Sequence, residues 1–388
     1  MIRSTGPNKQ WITTYYRRHQ SKNIAIGEAV EMRSFIIAVD NNVSLMSNFI
    51  GYLQPELEQD DEVIFVSDGC DRLSTKNYLN QIASTDQQFV LIEKEEKGGF
   101  SYANNLGVSL AQSDTLIFIN TDAFLAPGCV KQLTQMLWSA PDIAAVQPLL
   151  IYPQTELVQS TGHVFSSVKS GHLFAGRNRT DRIVQQSAPR QALTMAVCAV
   201  KKDLFLQIGG FDEIYYNSHE GMELTLKLSL HGYRCMYCAS AVAYHCSYTA
   251  RSQIVFDVSR QRALFYQRWG NVISPDLEYY LRTQMSRSIE SRSYIVYNMS
   301  SSMDWQILLE HLGISYTRSF ILEERFSTQI NLYNCISFTN MHYPVPFLFI
   351  CDSLSQIRGN RNWIRNRSNP DDIVIDLNGN LINLQSLI

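Results

Sequence analysis

Four apolar runs in the first third of the chain are each followed by polar, acidic or glycine residues, and this repeat limits the fold more than any other feature. The runs occupy residues 34–39, 63–66, 89–92 and 116–119. Continuous apolar stretches of this length are typical of strands that are buried on both faces of a sheet. Helical patterns separate the runs, so the sequence predicts an α/β fold with a mostly parallel central sheet and right-handed crossovers.

The candidate functional residues lie at one edge of this predicted sheet. Asp40, Asp68 and Asp122 follow three of the strands, and Gly98 and Gly99 follow the remaining one. Ligands bind outside the carboxyl ends of strands in open α/β sheets. Carboxylates repel phosphate, but they can accept hydrogen bonds from a base or ribose, or hold Mg²⁺ or Mn²⁺ beside substrate phosphates. The alternatives are a helix cap for Asp122 and a tight turn for the glycine pair.

The composition of the 388 residues is that of an ordinary globular protein. Charged residues make up 18% and apolar residues 45%, and the formal net charge of −3 argues against a general nucleic-acid footprint. No segment approaches the ~20 apolar residues that a membrane helix needs. Residues 1–32 lack an apolar signal segment, so we expect a cytoplasmic protein. We expect this polar arm to pack poorly. Because it carries scattered basic residues, peripheral contact with the inner membrane face is a weaker alternative.

The cysteines do not predict a disulfide framework, because eight of them are irregularly spaced in a long chain. Cys235 and Cys238, with His245 nearby, invite a zinc interpretation. Residues 234–238 alternate like a strand, however, so the two thiols would point to opposite faces. We therefore expect small buried thiols rather than a zinc site. We also expect residues 234–245 to form a pair of strands with a turn at 239–241.

The order of several motifs resembles family 2 glycosyltransferases, and most closely the rhamnosyltransferase-like branch that builds bacterial surface polysaccharide. The resemblance covers about residues 33–270. Its nucleotide half is carried by residues 34–42, 66–69, 97–107 and 118–122, and its acceptor half by residues 209–213, the helix at Glu220, residues 232–234 and His245.

The resemblance implies a GT-A fold and a hexosyltransferase-type reaction with inversion, from a nucleotide-sugar donor to a glycan or lipid-linked glycan acceptor. It implies Mn²⁺ or Mg²⁺ bound by Asp122, with His245 completing the site. An ordinary hydrogen-bonded histidine is the alternative for His245. The residues implied to bind the nucleotide-sugar are Asp40, Asp68, Gly99, Asn104, Asn120 and Asp122.

An inverting transfer needs a base that takes the proton of the acceptor hydroxyl. The family usually shows Glu-Asp at this helix start, with the aspartate as base, but this chain has Glu220 and Gly221. We therefore expect Glu220 to act as the base, with Glu223 one helical turn away as the second candidate. The missing aspartate supports an alternative function, a catalytically impaired GT-A-like domain that binds a glycan or nucleotide as a scaffold.

The predicted organisation has four parts. Residues 1–32 form the polar arm, 33–270 the GT-A domain, 271–291 a helical linker, and 292–388 a small α/β accessory domain whose role the sequence does not indicate. Within the GT-A domain, residues 152–192 lack clear periodicity, which is uncommon in a compact domain unless the segment binds something.

Overall fold

The computed structural model divides into two compact units, Met1–Asp276 and Leu277–Ile388. The division falls within the predicted linker, whose limits stay a prediction. The structure describes residues 32–39, 43–153, 155–166, 169–246, 258–281, 293–301, 304–322, 327–367 and 369–388. None of the helices in these ranges is long and apolar enough to cross a membrane.

The first unit is built around a ten-stranded mixed sheet. Its strands are β1 (Arg33–Val39), β2 (Glu62–Asp68), β3 (Phe89–Lys94), β4 (Thr115–Ile119), β5 (Ala123–Leu125), β6 (Ile143–Ile151), β7 (Val158–Ser160), β10 (Ala188–Arg190), β11 (Val197–Lys201) and β12 (Arg234–His245). The order is β10-β12-β6-β11-β4-β1-β2-β3, with β5 paired to β12 and β7 to β6. A separate hairpin pairs β8 (His163–Phe165) with β9 (Ser170–His172).

The helices of the first unit alternate with the strands in its amino-terminal part, as the sequence predicted. They are α1 (Val43–Leu53), α2 (Leu73–Thr85), α3 (Phe100–Leu110), α4 (Cys129–Trp138), α5 (Lys202–Gln207), α6 (Glu220–Leu230) and α7 (Val258–Trp269). Strands β1 to β4 are parallel to one another, whereas β11 lies between β4 and β6 and is antiparallel to both. The predicted α/β fold with a mostly parallel central sheet is therefore confirmed.

Each face of this sheet carries its own apolar core. Phe35 and Ile37 belong to one core, whereas Ile36 belongs to the other. Successive side chains of a strand point to opposite faces, so a strand covered by helices on both sides must be apolar throughout. This requirement explains the uninterrupted apolar runs in the sequence.

The predicted strand pair at residues 234–245 is wrong. A single strand, β12, spans Arg234–His245, and its register against β6 shifts between Cys238 and Val242. An irregularity of this kind bends a strand without ending it, so the small residues of 239–241 mark a bulge rather than a turn. The expected opposite orientation of Cys235 and Cys238 is confirmed, because they lie in the two different cores.

The second unit has a five-stranded sheet of its own. Its strands are β13 (Tyr294–Asn298), β14 (Tyr316–Ile321), β15 (Phe347–Ile350), β16 (Ile373–Ile375) and β17 (Leu381–Asn383), in the order β14-β13-β15-β16-β17. Only β17 is antiparallel to its neighbour. The helices of this unit are α8 (Leu277–Tyr280), α9 (Trp305–His311), α10 (Leu332–Cys335), α11 (Phe338–Met341), α12 (Ser355–Arg358) and α13 (Arg361–Arg367).

Helices cover both faces of the second sheet. Leu309 of α9 packs with Val296 and Leu348 on one face. Trp363 of α13 packs against Phe347 and Phe349, with ring centroids 6.4 and 5.9 Å apart. The second unit is thus a small doubly wound α/β structure with its own core.

Candidate functional site

Asp122 and His245 meet at the carboxyl end of β4. Strand β5 pairs with the end of β12 so that Ala123 lies opposite His245. This pairing places Asp122 Oδ1 3.2 Å from His245 Nε2, with only 10% of the Asp122 side chain and 15% of the His245 side chain exposed. The backbone amide of Cys246 also donates to the carbonyl of Asp122, at 3.0 Å. Two residues that are far apart in sequence are therefore held side by side by main-chain pairing.

Gln159 fixes the orientation of the His245 ring. Its side-chain Nε2 donates to the His245 carbonyl at 2.9 Å, and its Oε1 lies 2.7 Å from His245 Nδ1. Because the amide nitrogen is committed to the carbonyl, the amide oxygen faces the ring, and Nδ1 carries the proton. In the neutral ring, the Nε2 lone pair then faces the carboxylate of Asp122. A positive charge, either a proton or a metal ion, is needed to make that approach favourable.

Asp68 holds the glycine loop. Its two carboxylate oxygens accept hydrogen bonds from the backbone amides of Gly98 and Gly99, at 2.7 and 2.8 Å. Gly99 has φ +89°, and a Cβ there would lie 2.6 Å from the carbonyl oxygen of Tyr216. A side chain at residue 99 is therefore excluded both by conformation and by space. Asp68 acts as a clamp that shapes this edge of the sheet.

The remaining predicted nucleotide-binding residues occupy different environments. Asn104 is buried, and its amide donates to the carbonyl of Phe100 one helical turn earlier, at 2.8 Å. Asn120 follows β4 directly, is half-buried, and donates its backbone amide to the Ala196 carbonyl at 2.9 Å. Asp40 lies outside the described residues. The binding roles of all three stay predictions.

The glycine loop is tied to the segment that leads into α6. The Phe100 amide donates to the Tyr216 carbonyl at 2.8 Å, and the Ser101 hydroxyl donates to the Tyr215 carbonyl at 2.6 Å. Asn105 makes two hydrogen bonds to the backbone of Phe211, at 2.9 and 3.0 Å. The segment containing Gly209 and Gly210 is thus anchored to the helix that follows the glycine loop.

The two candidate bases at the start of α6 have different surroundings. Glu220 is the first residue of the helix and is half-buried. Glu223 is buried, and its Oε2 lies 3.2 Å from Lys227 Nζ. Burial raises the pKa of Glu223, although Lys227 opposes this effect. Glu223 is therefore held in an internal ion pair, whereas Glu220 lies at the end of the element, where a reacting group would be placed.

His219, the residue before α6, is kept neutral. Its backbone is left-handed, with φ +73°, and its ring lies 5.4 Å from that of Phe265. Burial, together with the charge of Arg262, lowers the pKa of His219 to about 4. An uncharged ring next to Glu220 does not lower the proton affinity of that carboxylate.

Close packing against Met195 explains why glycine occupies residue 221. A Cβ there would collide with Met195 Cγ and would lie 3.0 Å from Met195 Cβ and 3.1 Å from its backbone nitrogen. Ala196, the next residue, accepts the hydrogen bond from Asn120. The same short segment therefore touches both the end of β4 and the start of α6, which brings these two parts of the site together.

Gln159 is a site residue for which the sequence predicted no role, whereas Asn105 belongs to the motif at residues 97–107. Gln159 bonds to a residue 86 positions away, and Asn105 to one 106 positions away. The only sequence signal for Gln159 is its place in the long non-periodic segment 152–192. No group of three or more His, Cys, Asp or Glu residues with metal-binding geometry occurs in the described ranges.

A sequence model described as "Glycosyl transferase family 2" matches residues 36–197. The matched residues, less than half of the chain, are similar to glycosyl transferase family 2. The matched region begins in β1 and ends in β11, so it contains Asp68, the glycine loop and Asp122. The resemblance inferred from the motifs is confirmed.

Two relatives are similar to part of this chain, a rhamnosyltransferase and an O-antigen biosynthesis protein. N-acetylglucosaminyl-diphospho-decaprenol L-rhamnosyltransferase of Mycobacterium tuberculosis is 28% identical over 143 residues, which cover 34% of this chain and 47% of that protein. The O-antigen biosynthesis protein RfbC of Myxococcus xanthus is 23% identical over 194 residues, or 47% of this chain and 15% of RfbC. This chain thus spans about half of the length of the first relative and a small part of the length of the second.

One solved structure of another protein is similar in fold to this chain. The crystal structure of GalNAc-T7 with UDP, GalNAc and Mn²⁺ matches with a TM-score of 0.54 and 12% sequence identity, over 75% of this chain and 56% of that one. The GT-A fold expected from the sequence is confirmed.

Proposed function

We propose that this chain is an inverting, metal-dependent glycosyltransferase in surface polysaccharide synthesis. It transfers a sugar from a nucleotide-sugar to a glycan or lipid-linked glycan. The match of residues 36–197 to the family model and the names of the two relatives support the reaction class. The diphospho-decaprenol in the name of the first relative supports a lipid-linked acceptor. The observation that carries the proposal is the pairing of Asp122 and His245 at the carboxyl end of β4.

Asp122 and His245 fit a divalent metal ion. One carboxylate oxygen and one imidazole nitrogen lie 3.2 Å apart, and Gln159 turns the unprotonated nitrogen toward the carboxylate. Carboxylate oxygen suits Mg²⁺ and Mn²⁺, and imidazole suits transition metals, so Mn²⁺ matches both ligands. Two protein ligands are enough where substrate phosphates complete the coordination. The bound ion would act as a Lewis acid toward the leaving diphosphate.

The role of base is assigned to Glu220. It begins α6, next to the neutral ring of His219, whereas Glu223 is paired with Lys227 in the interior. In this assignment Glu220 takes the proton of the acceptor hydroxyl as that oxygen attacks the sugar carbon, and the diphosphate leaves from the opposite side. Glu223 keeps the helix start in place.

The nucleotide is assigned to the edge formed by the glycine loop and the end of β4. The Asp68 clamp keeps the backbone of Gly98 and Gly99 close to this edge of the sheet. Asn120 directly follows β4, two residues before Asp122, and is assigned to the same ligand.

Turnover of a panel of nucleotide-sugars that includes activated L-rhamnose tests the proposal, with Mn²⁺ or Mg²⁺ present. We expect Asp122→Asn and Glu220→Gln each to reduce kcat/KM by about 100-fold or more, a typical effect of losing a metal ligand or a general base. Glu310→Gln, an exposed acid of the second unit, is the control and should retain activity. Full activity in both site variants would refute the residue assignments.

Gly221 favours a second candidate, a GT-A-like domain that binds a nucleotide without catalysing transfer. The aspartate expected as base is absent, and Met195 occupies the space that its side chain would need. Calorimetry with nucleoside diphosphates and Mn²⁺ distinguishes the two. Metal-dependent nucleotide binding without turnover on a broad panel of acceptors would favour the second candidate.

A further inference from the structure

The second unit contains a cavity of about 630 Å³ that is separate from the family 2 region. Two segments line it, one around Gln329–Tyr333 and one around Gly359–Trp363. Its size falls within the range of about 300–1,000 Å³ that is usual for small-molecule sites. The cavity lies wholly within the second unit, so it can be considered independently of the reaction proposed above.

The strand order places a ligand site at one edge of the second sheet. Strand β13 connects outward to β14, and the chain then returns to the other side of β13 as β15. The direction of winding reverses between β13 and β15, and doubly wound sheets bind ligands outside the carboxyl ends of their strands at such a point. The residues that follow these two strands are Met299 and Cys351.

Gln356 joins this edge of the sheet to the cavity wall. Its side chain donates to the Met299 carbonyl at 3.2 Å and accepts from the Asp352 amide at 2.8 Å. Its own carbonyl accepts from the amide of Ile330, a residue of the cavity wall, at 3.1 Å. Gln356 is itself buried. The cavity therefore lies next to the position that the winding of the sheet predicts for a ligand.

The wall carries hydrogen-bonding groups that the protein does not use. Gln329, Arg361 and Asn362 are exposed, and their side chains form no hydrogen bond or ion pair with the residues that the structure describes. Trp363 is fully buried, and its indole Nε1 is a donor without a partner among those residues. A buried donor of this kind is unusual, because such groups are normally satisfied by the protein, water or a ligand.

Tyr333 adds an aromatic surface to the wall. Its ring is 42% exposed, and its hydroxyl accepts a hydrogen bond from the Asn366 amide at 2.9 Å, which restrains the ring. An aromatic ring can cover an apolar face of a ligand while amide groups bind its polar edge. Aromatic and amide groups in one small cavity suit a molecule that is rich in hydroxyl groups.

The segment that forms one side of the cavity is rich in arginine. Residues 353–370 contain four arginines and no aspartate or glutamate. Arg367 is committed to an internal ion pair with Asp372, whereas Arg358 and Arg361 are exposed. Of the residues that line the cavity, Arg361 alone is charged. A guanidinium matches the geometry of carboxylate and phosphate groups, so this wall favours an anion.

We propose that this cavity binds an anionic saccharide, a sugar that carries a phosphate or a carboxylate. Arg361 binds the anionic group. The amides of Gln329 and Asn362 bind hydroxyl groups, and the ring of Tyr333 covers the apolar face of the sugar.

Calorimetry and ligand-observed NMR on the full chain test this site. The probes are glucose 1-phosphate, glucuronic acid, glucose and inorganic phosphate, without added divalent metal. We expect at least one anionic sugar to bind about tenfold or more tightly than both glucose and phosphate. The preference between the two anionic sugars identifies phosphate or carboxylate as the recognised group.

Matched variants locate the binding. Arg361→Gln should weaken binding of the anionic sugar about tenfold or more, whereas Arg358→Gln, the same charge change on an exposed residue outside the cavity, should not. Asn362→Ala is a second variant at the wall and keeps the charge. Asp122→Asn should retain the binding, which separates this site from the proposed catalytic site.

Three results would overturn the proposal. The first is no saturation by either anionic sugar up to about 10 mM, a concentration at which even weak sites are occupied. The second is equal affinity for inorganic phosphate and glucose 1-phosphate together with no binding of glucuronic acid, which would mean an anion site without recognition of sugar. The third is equal weakening by Arg358→Gln and Arg361→Gln, which would mean a diffuse charge effect.

Discussion

Gln159 determines which nitrogen of His245 faces Asp122. Removing its amide oxygen leaves the ring free to rotate and to change its protonated nitrogen. Hydrogen bonds of this kind to a metal-binding histidine typically change metal affinity by about 10- to 100-fold. The residue contributes through another side chain, so it is a positioning residue.

We expect Gln159→Leu to weaken Mn²⁺ binding about 10- to 100-fold, measured by calorimetry or by the electron paramagnetic resonance of free Mn²⁺. Gln186→Leu replaces an exposed glutamine of the same segment and should leave the affinity unchanged. An unaltered Mn²⁺ affinity in a folded Gln159→Leu protein would show that His245 does not bind the ion.

Gly221 lies too close to Met195 to accept a side chain. We expect Gly221→Ala to lower the free energy of unfolding by about 1–3 kcal/mol in urea titrations, because overpacking outweighs the gain in helix propensity. Gly359→Ala is the matched control, since its φ of −68° and the open space around it permit a methyl group at little cost. Equal stability of the two variants would contradict the packing explanation.

At the scale of elements, the glycine loop depends on one carboxylate. Asp68→Ala removes both acceptors and leaves the buried amide of Gly99 unsatisfied, which costs about 1–3 kcal/mol, and the half-buried amide of Gly98 loses its partner as well. We expect faster hydrogen exchange in residues 95–102 and a lower free energy of unfolding. Asp60→Ala, at an exposed site, should change neither. Unchanged exchange in this loop would show that other contacts hold it.

The sequence predicted strands β1 to β4 because burial on both faces demands continuous apolar residues, and that demand is visible locally. The prediction from the sequence failed at β12, because the small residues at 239–241 are compatible with a bulge as well as with a turn. It gave no role to Gln159, because a glutamine becomes a partner of His245 only after β7 and β12 are both in place beside β6. Contacts set by the register of distant strands leave no local pattern.

At the scale of the whole molecule, a buried carboxyl group with a strongly shifted pKa occurs in each unit. Burial raises the pKa of Asp276 to about 7, although hydrogen bonds from Phe165 and Gln191 oppose this. Burial likewise raises the pKa of Asp372 to about 6, against the charge of Arg367. The folded protein therefore keeps protons that the unfolded chain has already released.

These two carboxyl groups should make stability decrease as the pH rises from about 4 to about 7, whereas His219, whose pKa is lowered, contributes with the opposite sign. Chemical unfolding at a series of pH values measures the slope. Asp276→Asn should remove the contribution of this carboxyl group to the slope between pH 5 and 7, whatever its effect on absolute stability, while Asp60→Asn, at an exposed site, should leave the slope unchanged. A slope that is unchanged in Asp276→Asn would place the titrating group elsewhere.

The contact between Gly221 and Met195 also restricts how this site can evolve. An aspartate at residue 221 is one substitution away in principle, but it cannot be accepted while Met195 keeps its present position. A smaller residue at 195 would have to arise first, and it would cost packing without any immediate gain. Residues 195 and 221 are therefore coupled, because an aspartate at residue 221 requires a change at Met195 as well.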